Sequence, residues 1–146
     1  MAGTVLVLNG PNLNMLGVRE PHIYGKDTLA DIKQRCVERA RGHGLEVDFK
    51  QSNSEAQLID WLHEARNTTV GVVINPAGLS FRSIPLLDAL KLYDGPKVEV
   101  HISNIHKRDE IYRHSLMSQA VTGVIAGLGA LGYALAIDGI AAEAQK

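Results

Sequence analysis

Cysteine is nearly absent from the 146-residue chain: Cys36 stands alone. An internal disulfide is therefore impossible, and a reducing, cytoplasmic setting is expected. Aromatic residues are few, with two Phe, four Tyr and one Trp, so the core must be aliphatic. Neither sign of charge is in excess: 15 basic and 16 acidic residues leave a net charge of −1. No basic stripe suggests a nucleic-acid surface, and near-neutrality is compatible with self-assembly. No apolar run is long enough to span a membrane. The apolar N-terminus lacks the basic segment of a signal peptide and leads straight into a strand, so none is expected. The length fits a single domain, 1–146, with a real core.

What is present is a regular alternation of apolar strands and amphipathic helices. Thr4-Val5-Leu6-Val7-Leu8 and Val70-Gly71-Val72-Val73-Ile74 are near-continuous apolar runs, the mark of strands buried on both faces of a parallel sheet. Leu45-Glu46-Val47-Asp48-Phe49 alternates, as an edge strand would. Val98-Glu99-Val100-His101-Ile102-Ser103-Asn104 also reads as a strand, and Val121-Thr122-Gly123-Val124-Ile125-Ala126 as the fifth. Thr28 with Asp31 predicts a partial capping box before an apolar stripe of Leu29, Ile32, Cys36, Val37 and Ala40. Ser54 predicts the cap of a second helix, through Leu58, Ile59, Leu62 and Ala65. Pro85 sits in the first turn of a third, through Ile84, Leu87 and Leu90. Residues 107–117 read as a short polar helix, and a small-residue helix begins near Leu131. Between the first strand and first helix lies a long irregular stretch, 13–27, broken by Gly17, Pro21 and Gly25. In so small a domain such a loop suggests a lid or binding loop.

Five strands alternating with five helices predict an α/β, doubly wound parallel sheet of flavodoxin-like order 2-1-3-4-5, with helices on both faces. Ligands in such sheets bind beyond the carboxyl ends of the strands. The polar residues at those ends are Asn9 and Asn12, Asn75, and His101 with Ser103. Alternation along the fourth strand puts Glu99 and His101 on one face. That pair is either a self-satisfying ion pair or a carboxylate orienting an imidazole for proton transfer. Tyr24 is either an ordinary loop tyrosine or a base whose phenolate the guanidinium of Arg19 favours. Asn12 is either a turn residue or a donor to a developing oxyanion.

Other motifs carry less. Gly127-Leu128-Gly129-Ala130-Leu131-Gly132 matches a dinucleotide fingerprint, but it follows the last strand and no acidic strand comes after it. It reads as close packing of helix on sheet. The six histidines show no zinc spacing, and no metal site is expected. No nucleophile elbow suggests covalent catalysis.

Leu8-Asn9-Gly10-Pro11-Asn12-Leu13-Asn14-Met15-Leu16-Gly17 and Arg19-Glu20-Pro21-His22-Ile23-Tyr24-Gly25 resemble the N-terminal signature of type II 3-dehydroquinate dehydratases. The likeness continues in Gln51-Ser52-Asn53, Ile59-Asp60-Trp61, Ile74-Asn75-Pro76-Ala77-Gly78, residues 98–104 and Gly127-Leu128-Gly129. The resemblance implies a carbon–oxygen hydro-lyase that converts 3-dehydroquinate to 3-dehydroshikimate through an enolate, in the shikimate pathway or in quinate breakdown, with no metal or other cofactor. Residue by residue, it makes Tyr24 the base and has Arg19, on a closing lid, lower the tyrosine's pKa. Asn12 helps hold the water that stabilises the enolate oxygen. His101 is the acid and Glu99 its orienter. Asn75 binds substrate oxygens, the backbone of Ile102 and Ser103 binds the carboxylate, and Asp88 reaches a neighbouring subunit's site. The implied assembly is a homododecamer, a tetramer of trimers, whose only other partner is the small-molecule substrate.

This chain departs from the family at Phe81, where histidine is usual, and at Tyr112, where arginine is usual. Both positions normally contact substrate hydroxyls. Arg82 and Arg113 stand next door, and Arg113 is the substrate-binding candidate, although one step along a helix turns a side chain by about 100°. Two alternatives therefore stand beside the dehydratase: a divergent lyase for another cyclic hydroxy-keto acid, and a silent assembly subunit.

Overall fold

The computed structural model describes residues 3–18 and 20–146. Five parallel strands form one sheet: β1 (Gly3–Asn9), β2 (Leu45–Gln51), β3 (Gly71–Asn75), β4 (Lys97–His101) and β5 (Gly123–Ala126), in spatial order β2-β1-β3-β4-β5. The predicted order and the edge position of β2 are both found. Helices α2 (Leu29–Arg41) and α5 (Leu131–Ala144) cover one face; α3 (Glu55–Ala65) and α4 (Ile84–Lys91) cover the other. A one-turn helix, α1 (Pro21–Tyr24), lies inside the long first loop.

The strand alternation explains the two layers. Val5, Val7, Val73, Val98 and Val100 face α2 and α5. Leu6, Leu8, Val72 and Ile74 face α3 and α4. Cys36 is fully buried in the first layer, and burial pushes its thiol up to about 12, so it stays protonated. The predicted caps form as well. Thr28 and Asp31 make a reciprocal capping box, and Ser54 accepts from the Gln57 amide. No helix among the described residues is long and apolar enough to cross a membrane.

Three expectations need correction. The stretch 107–117 is not a helix but part of three 3-10 turns, Ile105–Lys107, Glu110–Tyr112 and Leu116–Gln119. Asn104 and Ser115 accept from the amides of His106 and Met117, so local side-chain bonds compete with a continuous helix. Arg108 between the first two turns is extended, at φ −92° and ψ −180°. The fourth strand ends at His101 rather than continuing to Asn104, because Asn104 already caps the next turn. The fifth strand begins at Gly123, two residues later than its apolar run suggests.

The register sets up the functional end of the sheet. Asn9 of β1 is paired with Asn75 of β3, so two polar residues sit side by side where the central strands stop. The following turns then meet closely. The Gly10 amide donates to the Asn75 carbonyl at 2.8 Å, and a Cβ on Gly10 would lie 2.5 Å from the Pro76 carbonyl oxygen. Backbone cannot yield there as a flexible side chain would. The glycine motif after β5 works as the packing device it resembles: a Cβ on Gly132 would press on Ile125 and Val100 at 3.3 and 3.4 Å. Gly10→Ala is expected to cost about 1–3 kcal/mol, the usual range for overpacking. A urea midpoint equal to that of the unsubstituted protein would contradict the close approach.

Candidate active site

The floor of the site is a buried polar triangle. The Tyr133 hydroxyl, reaching in from α5, donates to Asn9 Oδ1 at 2.8 Å and accepts from Asn75 Nδ2 at 2.9 Å. Asn75 Oδ1 accepts from the Ala77 amide at 3.1 Å, and Asn9 Nδ2 donates to the Lys50 carbonyl at 3.0 Å. Burial pushes the Tyr133 phenol far above its usual range, so it remains a neutral donor. Both asparagines are thereby locked, and Asn75 has one amide hydrogen left for a ligand. Tyr133 escaped the sequence reading. Its signal was a lone polar-tipped aromatic on an otherwise small-residue helix.

The loop after β1 is anchored from β2. The Asn12 amide donates to Asn53 Oδ1 at 2.9 Å, and Gln51 Nε2 donates both to that oxygen and to the Gly10 carbonyl. Asn12 itself holds a left-handed conformation, at φ 71°, which asparagine tolerates better than most residues. It lines a cavity of about 190 Å³ above the strand ends.

His101 and Glu99 form the electrostatic centre. Glu99 is fully buried and His101 nearly so. The carboxylate takes His101 Nε2 at 2.5 Å and the Ser115 and Ser118 hydroxyls at 2.6 and 2.7 Å. Burial alone would push the Glu99 carboxyl up. The bonds from His101, Ser115 and Ser118, with the charge the imidazole can carry, outweigh burial and hold it below its ordinary value of 4.5. The carboxylate therefore stays ionised. Nδ1 of His101 has no hydrogen-bond partner among the described residues, and the imidazole lines the cavity. Ser115 and Ser118, which complete the carboxylate's shell, were not singled out from the sequence. They follow Glu99 by 16 and 19 residues, a separation that no local pattern reports.

Tyr24, Asn12, Asn75, His101, Ile102 and Ser103 all line the same cavity. Glu99 stands behind His101. Asp88 is exposed on α4, and Arg113 is exposed with its Nε donating to the Arg108 carbonyl at 2.6 Å; neither lines the cavity. Arg19 lies outside the described residues. Phe81 and Tyr112 both contribute to the wall. Phe81 stacks on His101 with centroids 6.2 Å apart and meets the edge of Tyr112 at 5.7 Å.

Arg108 is the cation that the sequence reading missed. It lines the cavity with its guanidinium 4.1 Å from the Tyr112 ring centre and 5.4 Å from that of Tyr24. The polar run over 107–117 predicts one helix; the extended backbone at Arg108 instead accompanies a side chain that lines the site.

A model of the family described as Dehydroquinase class II matches residues 3–141. The chain is 56% identical over 142 residues to a 3-dehydroquinate dehydratase of Streptomyces avermitilis, covering 97% of this chain and 89% of the relative. A type II dehydroquinase of Propionibacterium acnes superposes with a TM-score of 0.92 at 48% identity, covering 97% and 98% of the two chains. One from Butyrivibrio crossotus superposes at 0.93 with 40% identity, covering 95% and 97%.

The depressed Glu99 carboxyl makes a pH-dependent prediction. A lowered folded-state pKa adds stability above the unfolded value and loses it as pH falls through the folded one. Ser118→Ala removes one bond that keeps the carboxylate ionised. It should cost about 1–3 kcal/mol in denaturant unfolding at pH 7, and the cost should shrink below pH 4.5. An equal penalty at pH 7 and pH 3 would rule out this account of the shift.

Proposed function

The chain belongs to the class II dehydroquinase family, and on that premise we propose that it removes water from 3-dehydroquinate to give 3-dehydroshikimate. One observation carries the reading: a single small cavity is lined by a tyrosine from a loop and by an imidazole already oriented by a buried carboxylate. An elimination needs a base and an acid facing one ligand, and this is such a pair.

In this reading Tyr24, as phenolate, takes the proton beside the ketone. The electrons move onto the carbonyl oxygen as an enolate. Asn12, through a held water, stabilises that oxygen. The enolate then collapses, the carbon–oxygen bond to the leaving hydroxyl breaks, and His101 supplies the proton that makes it water. Glu99 keeps a proton on Nε2, so the transferred proton leaves from Nδ1. The free amide hydrogen of Asn75 serves a substrate oxygen, and the backbone of Ile102 and Ser103 the carboxylate. Arg108 adds a cation to the wall that suits an anionic substrate. Arg19 belongs to the same loop as Tyr24 in sequence and is assigned to support its ionisation. Asp88, exposed and away from its own cavity, is assigned to a neighbouring subunit's site in a dodecamer built as a tetramer of trimers. Light scattering on the eluted protein checks that assembly.

The aromatic wall supports a second reading. Phe81 presents carbon where a hydrogen-bonding side chain is usual in the family, so the grip on substrate hydroxyls is reduced. A cyclic hydroxy-keto acid with fewer hydroxyls at that end would lose less by binding here. Phe81→His should then lower the KM for 3-dehydroquinate; an unchanged or higher KM would remove the basis for this alternative.

The main test follows the conjugated enone absorbance of the product after mixing purified protein with 3-dehydroquinate. Turnover is expected, and Tyr24→Phe and His101→Ala should each reduce kcat by about 10²–10⁴-fold with folding intact by circular dichroism. Near-normal kcat in either variant would refute its assigned role.

A further inference from the structure

We propose that Tyr112 is a positioning residue whose ring face holds the Arg108 guanidinium against the Tyr24 ring. The inference rests on the dehydratase reading above and assigns a role to a residue at which this chain departs from its family.

Four contacts run around the cavity wall. Phe81 stacks on His101 at 6.2 Å and 28° between planes; Tyr112 meets Phe81 at 5.7 Å and 79°. The Arg108 guanidinium lies 4.1 Å from the Tyr112 ring centre, and Tyr24 comes next at 5.4 Å. The acid and the base are thus joined by one continuous series of ring and cation contacts. Within it Arg108 is the only long, flexible member. A guanidinium at the end of such a side chain keeps one place only if something fixes it. Among the described residues no carboxylate pairs with it. The Tyr112 face is its nearest ring, at cation–π distance. Tyr112 is itself braced edge-on by Phe81, a favourable aromatic geometry. The two aromatic departures therefore act together: Phe81 fixes the Tyr112 ring, and the Tyr112 ring fixes the cation.

The consequence for chemistry lies in the step that forms charge. The phenol of Tyr24 must be anionic to take a proton, and a fixed cation next to its ring favours that state more than a mobile one does. Loss of the ring face should therefore reduce kcat more than it raises KM.

The experiment measures kcat, KM and thermal midpoint for Tyr112→Leu, Tyr112→Phe and Arg108→Lys, and for the double variant of Tyr112→Leu with Arg108→Lys. Lysine keeps the charge but has no flat face to stack. Tyr112→Leu should lower kcat at least tenfold, with KM changed less than threefold and the thermal midpoint nearly unmoved. Tyr112→Phe should restore at least half of the lost kcat. The double variant should be little worse than either single one, because both remove the same contact. If Tyr112→Leu does not fold, Tyr112→Met, which keeps volume without a ring, takes its place. A kcat within twofold of the unsubstituted protein in Tyr112→Leu, a Tyr112→Phe as impaired as Tyr112→Leu, or additive losses in the double variant would each overturn the role of the ring face. Absence of turnover in the unsubstituted protein would instead overturn the reaction assigned to the site, and the positioning role with it.

Discussion

The hydroxyl of Tyr133 joins the ends of the two central strands, and the geometry of the site depends on it. A parallel sheet buries its middle strands on both faces, so polar groups at their carboxyl ends are costly unless paired. Here Asn9 and Asn75 are register partners, and one phenol bonds to both carboxamides. Fixing those carboxamides fixes the turns that follow, which approach closely enough that only glycine fits at position 10. The cavity above inherits its shape from that arrangement. Tyr133 comes from α5, the last helix of the chain, so the site is complete only when the whole sheet has closed.

A second polar device is built on the other layer. Alternation along β4 sends Val98 and Val100 toward α2 and α5 and leaves Glu99 and His101 on the opposite side. A lone buried carboxylate would take up a proton. Three donors prevent that, two of them from the irregular segment after β4. That segment also delivers Arg108 and Tyr112 to the wall. Its break into short 3-10 turns is thus linked to the site: a continuous helix over 107–117 would stack Arg108, Tyr112 and Ser115 along one face, at i, i+4 and i+7, whereas here Ser115 bonds buried Glu99 while Arg108 and Tyr112 line the cavity.

The sheet was legible because its signals are local. Apolar runs, caps at Thr28 and Ser54, and the glycine turns each report on a few neighbouring residues, and five strands alternating with helices at this length fit the flavodoxin-like order. The pair of Glu99 and His101 was legible for the same reason, being two residues apart on one strand. What stayed hidden was tertiary. Tyr133 meets Asn9 from 124 positions away, and Ser118 meets Glu99 from 19. Arg108 was obscured by a helix assignment that its extended backbone breaks. The family likeness supplied candidate roles for Tyr24 and His101; the contacts of Phe81 with His101 and Tyr112 join residues distant in sequence, which no local pattern reports.

The two halves of the site are built with unequal rigidity, and the chemistry accounts for the asymmetry. His101 sits at the end of a central strand, nearly buried, with its carboxylate held by three bonds. Tyr24 ends a single helical turn entered through Glu20 at φ 36°, a conformation that side chains rarely adopt. In the proposed elimination, an acid that hands a proton to one leaving group benefits from a fixed direction. In the same proposal the base is carried on a loop that admits substrate before covering it, so it is not fastened to the sheet. Contacts with faces of rings reconcile the two needs. A guanidinium that contacts the rings of both Tyr24 and Tyr112 suits that proposal, since a ring-face contact is less directional than a hydrogen bond. Aromatic stacking of Phe81 on the buried His101 then gives Tyr112 and Arg108 a fixed reference, which a pair of flexible charged side chains on the wall would not supply.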